Sequence, residues 1–384
     1  MQLRSARTEM KFQRLREFRL RPRRAARLER TSTDVVARSN YCIGASPVAS
    51  SPYQERLYSA MTSQGVVVEA LSRSGLLRAR YDIAHVHWEH LLIDPSRGRF
   101  SATTWLASLS LAKLRGVIIC YTLHNIRPHD YQPSRYGNLY RRMFDTLVDG
   151  IITHGDAAIG ICAEERQALA DKPFAVIPHG PLESNHAECE TDTQVKVSSI
   201  PDDLHVILSF GAVKPYKGHR RLIKEFMSAD IGNDVHLHIA GSCSDVALRE
   251  FVKRSAADSN GRISASLDRI PEDEIGPLLS RCAGVILSYE EIHTSGVALL
   301  ALSHSVRVIA PRIGLLPDLA DAVGPGWVIL YDPPLDGEAL SSTIDQLTLQ
   351  PLPAVPPILA TWVDIADSTI AFFLKLEQRK LMGT

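Results

Sequence analysis

The chain has 384 residues, 45% of them hydrophobic and 22% charged, with 43 basic and 43 acidic side chains that cancel. That length accommodates two domains, and the composition is globular rather than disordered. Zero net charge excludes a nucleic-acid binder by overall charge, and no apolar run reaches the ~18 residues of a membrane span.

Residues 1–30 carry ten arginines and one lysine against Glu9, Glu17 and Glu29. No apolar stretch follows, so this is not a secretory signal. Two readings stay open for a flexible basic tail over 1–34: contact with an anionic membrane, at about 1 kcal/mol per basic residue, or a solvated tail. From residue 35 short apolar runs alternate with amphipathic stretches. Strands are expected at 41–43, 65–68, 83–88, 117–123, 151–152 and 175–177, with helices at 53–61, 103–115 and 136–149. Residues 181–203 are polar and break the pattern. It restarts with strands at 205–210, 235–240, 262–265, 284–288, 306–310 and 327–331 and helices at 218–228, 245–256, 271–281, 296–304 and 339–347. A last amphipathic helix runs over 360–381. Such βα alternation predicts two α/β domains with parallel sheets, and a ligand cleft at the carboxyl ends of the strands. The boundaries expected are 35–182, a linker over 183–203, 204–358 and a closing helix in 359–384. The six cysteines are scattered without a C-x-x-C pair, which argues for buried thiols in a reducing compartment and against zinc.

The most informative stretch is Phe210-Gly211-Ala212-Val213-Lys214-Pro215-Tyr216-Lys217-Gly218. A strand, a glycine turn and a helix start bring free N–H groups and a positive dipole end together. Lys214 and Lys217 beside that point suit a diphosphate. Tyr289-Glu290-Glu291-Ile292-His293-Thr294-Ser295-Gly296 precedes a second helix, with Thr294 and Ser295 as N-cap candidates and Gly296 allowing close approach. Its phosphate reading competes with simple capping; Glu290 and Glu291 are candidates to hold sugar hydroxyls. Ser266 to Glu272 is a minor feature: a loop there runs past the base in a nucleotide-binding half, but such a stretch is more often a plain turn. Gly324-Pro325-Gly326-Trp327 reads as a structural turn that buries an aromatic.

In the first half, His85, His87, Trp88 and Glu89 fall at a strand end, and so do His124, Asn125, His129 and Asp130. Five of the fourteen histidines lie between 85 and 129. Their spacing matches no zinc pattern, so no metal is expected. His85 reads as a core histidine bonded to a backbone carbonyl. The others suit hydrogen bonding to sugar hydroxyls, with Asp130 or Glu89 as general base; Asp130 reads alternatively as a helix cap.

The ordered set resembles the GT-B glycosyltransferases and, within them, the family of the xanthan-assembly β-mannosyltransferase. The matching segments are Ser51-Pro52-Tyr53, His85-Val86-His87-Trp88, Thr122-Leu123-His124-Asn125 with Pro128-His129-Asp130, Phe210-Gly211 with Pro215-Tyr216-Lys217-Gly218, His293-Thr294-Ser295-Gly296, Ala301-Leu302-Ser303 and Val323-Gly324-Pro325-Gly326-Trp327-Val328. They span residues 40 to 335. The resemblance implies two Rossmann-like domains facing a central cleft, with the C-terminal helix crossing back to the N-terminal domain. It implies metal-independent, inverting transfer of mannose from GDP-mannose to a lipid-linked saccharide in glycan assembly. No cofactor beyond the nucleotide sugar is implied. Carried over by position, Lys214 and Lys217 hold the diphosphate, Ser295 and Gly296 assist, and Asp130 is the base with Glu89 second. Retaining GT-B families carry two glutamates eight residues apart; counted from Glu290 and Glu291, those positions are Ala298 and Leu299, which weakens a retaining reading. The implied location is cytoplasmic and peripheral on the inner face of the plasma membrane. The alternatives are a UDP-sugar donor or a catalytically inactive partner subunit. A dinucleotide-dependent oxidoreductase is disfavoured because Gly44-Ala45-Ser46-Pro47 stands where G-x-G-x-x-G would be.

Overall fold

A computed structural model describes residues 41–46, 51–124, 135–181, 204–292, 294–357 and 359–382. Twelve strands form two sheets, parallel throughout. The first contains β1 (Cys42–Ala45), β2 (Val67–Ala70), β3 (Ile83–Val86), β4 (Ile118–Thr122), β5 (Gly150–Thr153) and β6 (Phe174–Val176), in the order β2-β1-β3-β4-β5-β6. The second contains β7 (His205–Phe210), β8 (Val235–Ala240), β9 (Ile263–Ser266), β10 (Gly284–Ile286), β11 (Val308–Pro311) and β12 (Val328–Tyr331), in the order β12-β11-β10-β7-β8-β9.

A parallel sheet is covered on both faces, so its central strands are apolar almost throughout. Strands β3, β4, β5 and β8 are buried at every position. Local chemistry starts the helices. Ser51 caps Pro52–Ser63, with proline in the first turn, and Asp245 and Asp336 cap Val246–Asp258 and Gly337–Leu349.

The contacts divide the chain into two compact units. Of the described residues, one holds those up to His154, Ile159–Ile177 and those from Trp362; the other holds Gly155–Ala158 and those between Pro178 and Thr361. In the first, helix Trp362–Met382 packs against Pro52–Ser63 and buries Ile365, Ile370, Phe372, Phe373 and Leu376. The Tyr41 hydroxyl donates to Glu377 at 3.3 Å, and Lys380 Nζ to the Val117 carbonyl at 3.1 Å. Gly150 makes room for this helix: a Cβ there would lie 2.6 Å from Leu376.

Three features differ from the sequence reading. Strand β3 stops at Val86 rather than residue 88, and β10 at Ile286 rather than 288. His87 and Trp88 open the loop that carries the polar groups of the first sheet, while after β10 Leu287 N still donates to the Ile309 carbonyl at 2.8 Å and Ser288 opens the loop. Helices Arg73–Leu77, His90–Ile93, Ala157–Glu165, Gln167–Ala170 and Leu316–Val323 are additional. Three of them are too short to show a 3.6-residue period. Ala157–Glu165 has no polar residue before Glu164, so it shows no amphipathic alternation, and Pro317 in Leu316–Val323 reads as a breaker but sits in the first turn, where it is tolerated. The five described cysteines, Cys42, Cys120, Cys162, Cys243 and Cys282, are all free. No helix among the described residues is long and apolar enough to cross a membrane.

Each sheet changes winding direction once, between β1 and β3 in the first and between β7 and β10 in the second. Loops leaving neighbouring strands there diverge to opposite faces and open a crevice at the carboxyl edge.

Candidate active site

At the second sheet's reversal, the loops after β7 and β10 are fastened to each other. Pro215–Lys217 forms a 3₁₀ turn, and Gly218 caps helix His219–Ser228 in the left-handed region, at φ 69°. Only glycine fits there, because a Cβ would lie 2.0 Å from the Ser288 carbonyl oxygen. Ser288 Oγ donates to the Lys217 carbonyl at 2.7 Å. Gly211, at φ 99°, lets the Lys217 amine approach within 3.2 Å of where its Cβ would be.

Lys217 is therefore a buried cation, 8% exposed, with its Nζ 5.3 Å from the centre of the Tyr289 ring. Burial, then repulsion from Lys214, lowers its pKa to about 8. Among the described residues no carboxylate pairs with Lys214 or Lys217. His219, also buried, is lowered to about 4 by burial and by Lys217. Opposite, Ser295 Oγ accepts from Ala298 N at 3.2 Å and caps helix Gly296–Ser303. Its hydroxyl is thus used for capping, and Gly296 is exposed at the helix start. Thr294 is half-buried; Glu290 and Glu291 are exposed, with Glu290 3.8 Å from Arg221. Ala298 and Leu299 are buried apolar residues. The two lysines therefore concentrate positive potential, and among the described residues no carboxylate pairs with either of them; Glu290 lies by Arg221 instead.

The first sheet's edge is the electrostatic opposite. His154 Nδ1 lies 3.0 Å from the Ile177 carbonyl, which can only accept, so Nδ1 carries the proton and Nε2 accepts. Every link upstream is then determined. His124 Nδ1 donates to His154 Nε2 at 3.2 Å, and His87 Nδ1 donates to His124 Nε2 at 2.9 Å. Tyr58 Oη donates to His87 Nε2 at 2.7 Å and accepts from His85 Nδ1 at 3.0 Å. Thr122 Oγ1 donates to His85 Nε2 at 2.7 Å. With neutral rings throughout, the four histidines share one tautomer in a single polarised relay. Burial enforces neutrality: it lowers His85 to about 3 and His154 to about 4, and holds His87 far below its usual value. His85 is a core histidine, but its partners are Thr122 and Tyr58 rather than a backbone carbonyl. The ring nitrogens bind one another, and among the described residues no group of three or more His, Cys, Asp or Glu is disposed to hold a metal.

Trp88 stacks on His124 at 4.4 Å and 12°, and Tyr53 meets His87, His124 and His154 edge-on. Half-buried Trp88 and the relay beneath it form a rigid aromatic platform.

Glu89 has a different environment. It is 4% exposed, accepts from Tyr121 Oη at 2.6 Å and pairs with Arg166 Nη1 at 3.2 Å. Arg166 also forks onto buried Asp145. Tyr121 and Arg166 take one lone pair on each oxygen of the carboxylate that the sequence offered as a second base. Asp130, Asn125 and His129 lie outside the described residues. Sequence reasoning missed Tyr58, His154, Arg166, His219 and Ser288. One signal was available for His154: a histidine follows within two residues of the ends of β3, β4 and β5 alike.

No protein-family model matches the chain. Over 315 residues it is 33% identical to the GDP-mannose:glycolipid 4-beta-D-mannosyltransferase of Xanthomonas campestris pv. campestris, covering 80% of this chain and 83% of that protein. Among solved structures, Anabaena HepE in complex with UDP matches at TM-score 0.56 and 13% identity, over 89% of this chain and 98% of that one. An alpha,alpha-trehalose-phosphate synthase (UDP-forming) from Burkholderia vietnamiensis matches at TM-score 0.59 and 13% identity, over 89% and 96%. The sucrose-phosphate synthase of Thermosynechococcus elongatus matches at TM-score 0.57 and 14% identity, over 89% and 98%. At such identities the likeness speaks for the fold, which is GT-B.

Tyr58→Phe tests the relay. It strands the His85 Nδ1–H and the His87 Nε2 lone pair, and is expected to lower stability in urea by about 2–4 kcal/mol. Nitrogen-15 spectra of the wild type should show all four histidines protonated at Nδ1. Finding Nε2–H rings among them would refute the assignment.

Proposed function

The chain belongs to the family of the GDP-mannose:glycolipid 4-beta-D-mannosyltransferases, and from that premise we propose that it transfers mannose from GDP-mannose to a hydroxyl of a lipid-linked saccharide, with inversion. The acceptor oxygen bonds to C1 of mannose as the bond from C1 to the β-phosphate oxygen breaks. The hydroxyl proton passes to the carboxylate of Asp130, and GDP leaves. An α-linked donor gives a β-linked product.

The observation that supports the donor side is the buried ammonium of Lys217 without a carboxylate partner, at the carboxyl edge of the second sheet. A desolvated cation of this kind is stabilised by an anion. Lys214, Lys217 and the starts of helices His219–Ser228 and Gly296–Ser303 offset the charge that develops on the departing diphosphate. On the acceptor side, Trp88, backed by His124, packs against a sugar face while Asn125 and His129 orient its hydroxyls. Glu89 holds Arg166 and Tyr121, and so braces the platform rather than taking the proton.

The acceptor chemistry also favours a peripheral position on the inner face of the plasma membrane. Phe100, Tyr136, Leu139 and Met143 are exposed on helices Arg99–Leu114 and Arg135–Leu147. The Arg99 guanidinium lies 4.1 Å from the Tyr136 ring centre and joins the two helix starts. Residues 95–124 and 135–144 contain no Asp or Glu. An apolar, basic face of this kind suits anionic lipid. The basic segment 1–30, the other candidate for that contact, lies outside the described residues.

Lys217→Ala should lower turnover with GDP-mannose at least about tenfold while the protein stays folded; unchanged turnover would sink the diphosphate assignment. Affinity for GDP should also depend on pH. Below pH 8 Lys217 is already charged in the free protein, so binding needs no proton. Above it, binding requires proton uptake, and Kd should rise about fivefold from pH 8 to pH 9 in calorimetry, approaching tenfold per unit only at higher pH. A flat profile would contradict a contact between Lys217 and the diphosphate. Co-sedimentation with phosphatidylglycerol vesicles should fall several-fold in the Phe100→Ser, Leu139→Ser double variant; equal binding would remove this face as the lipid contact.

A further inference from the structure

A cavity of about 610 Å³ lies in the second unit at the carboxyl ends of β8 and β9, within the ~300–1,000 Å³ typical of ligand sites. The donor reading above uses β7 and β10 and leaves this cavity unassigned. In the sheet order β10-β7-β8-β9, it begins beside the loop that carries Lys217. Two inter-strand spacings, about 10 Å, separate the end of β7 from the end of β9, a gap that a ribose bridges between a diphosphate and its base.

The lining suits a flat heteroaromatic ring. Ala240 and Ala265 leave room where the two strands end, and buried Leu278 and half-buried Ile270 supply apolar wall, while Lys253, Arg269 and Glu274 share the polar part of the lining. At the mouth stands Asp268. Its Oδ1 accepts from Arg249 Nη2 at 2.6 Å, and Arg249 Nη1 in turn donates to the Cys243 carbonyl at 3.3 Å. The carboxylate is therefore anchored although its side chain is 90% exposed. A carboxylate has about four lone-pair sites, and Arg249 takes one.

We infer that Asp268 selects the base of the donor, reading guanine through its adjacent N1–H and N2–H donors from the mouth of this cavity. The chemistry discriminates. Guanine alone among the common bases presents two neighbouring donors that one carboxylate can accept together. Adenine places the lone pair of N1 beside its amino group, and uracil flanks its single N–H with carbonyls; both would face the carboxylate with repulsion. The inference rests on the GDP reading proposed above and adds to it the residue that sets base preference.

Inosine diphosphate isolates the claim, because it differs from GDP only by the missing 2-amino group. By calorimetry on the full chain, the wild type should bind GDP about tenfold tighter than inosine diphosphate, within the range of one lost base contact. In Asp268→Ala and Asp268→Asn that ratio should fall to about one, while inorganic pyrophosphate binds as in the wild type. Wild-type binding of GDP without preference over inosine diphosphate, or a ratio retained in both variants, overturns the role of Asp268 and leaves the donor reading standing. If the wild type binds neither nucleotide, or binds UDP more tightly than GDP, the donor reading falls and this inference falls with it.

Discussion

Parallel pairing places the carboxyl end of every strand on the same edge of its sheet, and both halves of the chain depend on that constraint. The helices between strands cover the faces and leave the edge open where the winding reverses. Whatever residue follows a strand by one or two positions is thereby delivered to the edge, whichever part of the sequence it comes from. This is how His87, His124 and His154, separated by dozens of residues, become neighbours, and how Lys217 and Ser288 meet.

The two edges use this delivery to opposite electrostatic ends. On the first, burial holds His85, His87 and His154 neutral, and one backbone carbonyl at Ile177 sets the tautomer of His154, from which the relay runs. Such a chain polarises each bond by its neighbour and resists partial disruption. It provides shape and hydrogen-bond order with little charge. On the second, a lysine is buried without a counter-charge, which raises the local potential at some cost to the unliganded fold. A surface that orients a neutral sugar hydroxyl and one that gathers a diphosphate have these contrasting requirements.

Much of the fold was legible in the sequence because a parallel sheet leaves a strong trace. Runs such as His205–Phe210 and Val235–Ala240 are apolar from end to end, and the glycine turn after Phe210 announces its helix. Strand ends were read too long at Trp88 and Ser288, because hydrophobicity continues past the last ladder hydrogen bond into buried loop residues. The donor-side residues were recognisable because Lys214, Lys217 and Gly218 are contiguous. The pairing of Glu89 with Arg166 was not, since it joins positions 77 residues apart (166 minus 89). The role of His85 was misjudged in its partner for the same reason: Tyr58 arrives from a separate helix, and no local pattern connects them.

The docking of Trp362–Met382 in the first unit has a consequence for how the chain is made. Tyr41 and Glu377 meet across 336 residues, so the first unit lacks one of its packing layers until synthesis has passed the helix Trp362–Met382. The intervening segment Pro178–Thr361 supplies most of the other unit, which can close on itself meanwhile. At ribosomal rates of about 5–20 residues per second, the groove at Gly150 waits roughly ten to forty-five seconds for its cover, and the surface of Pro52–Ser63 roughly fifteen to sixty-five. During that interval the nascent first unit presents apolar side chains to water, and the half that is translated first is the half that matures last.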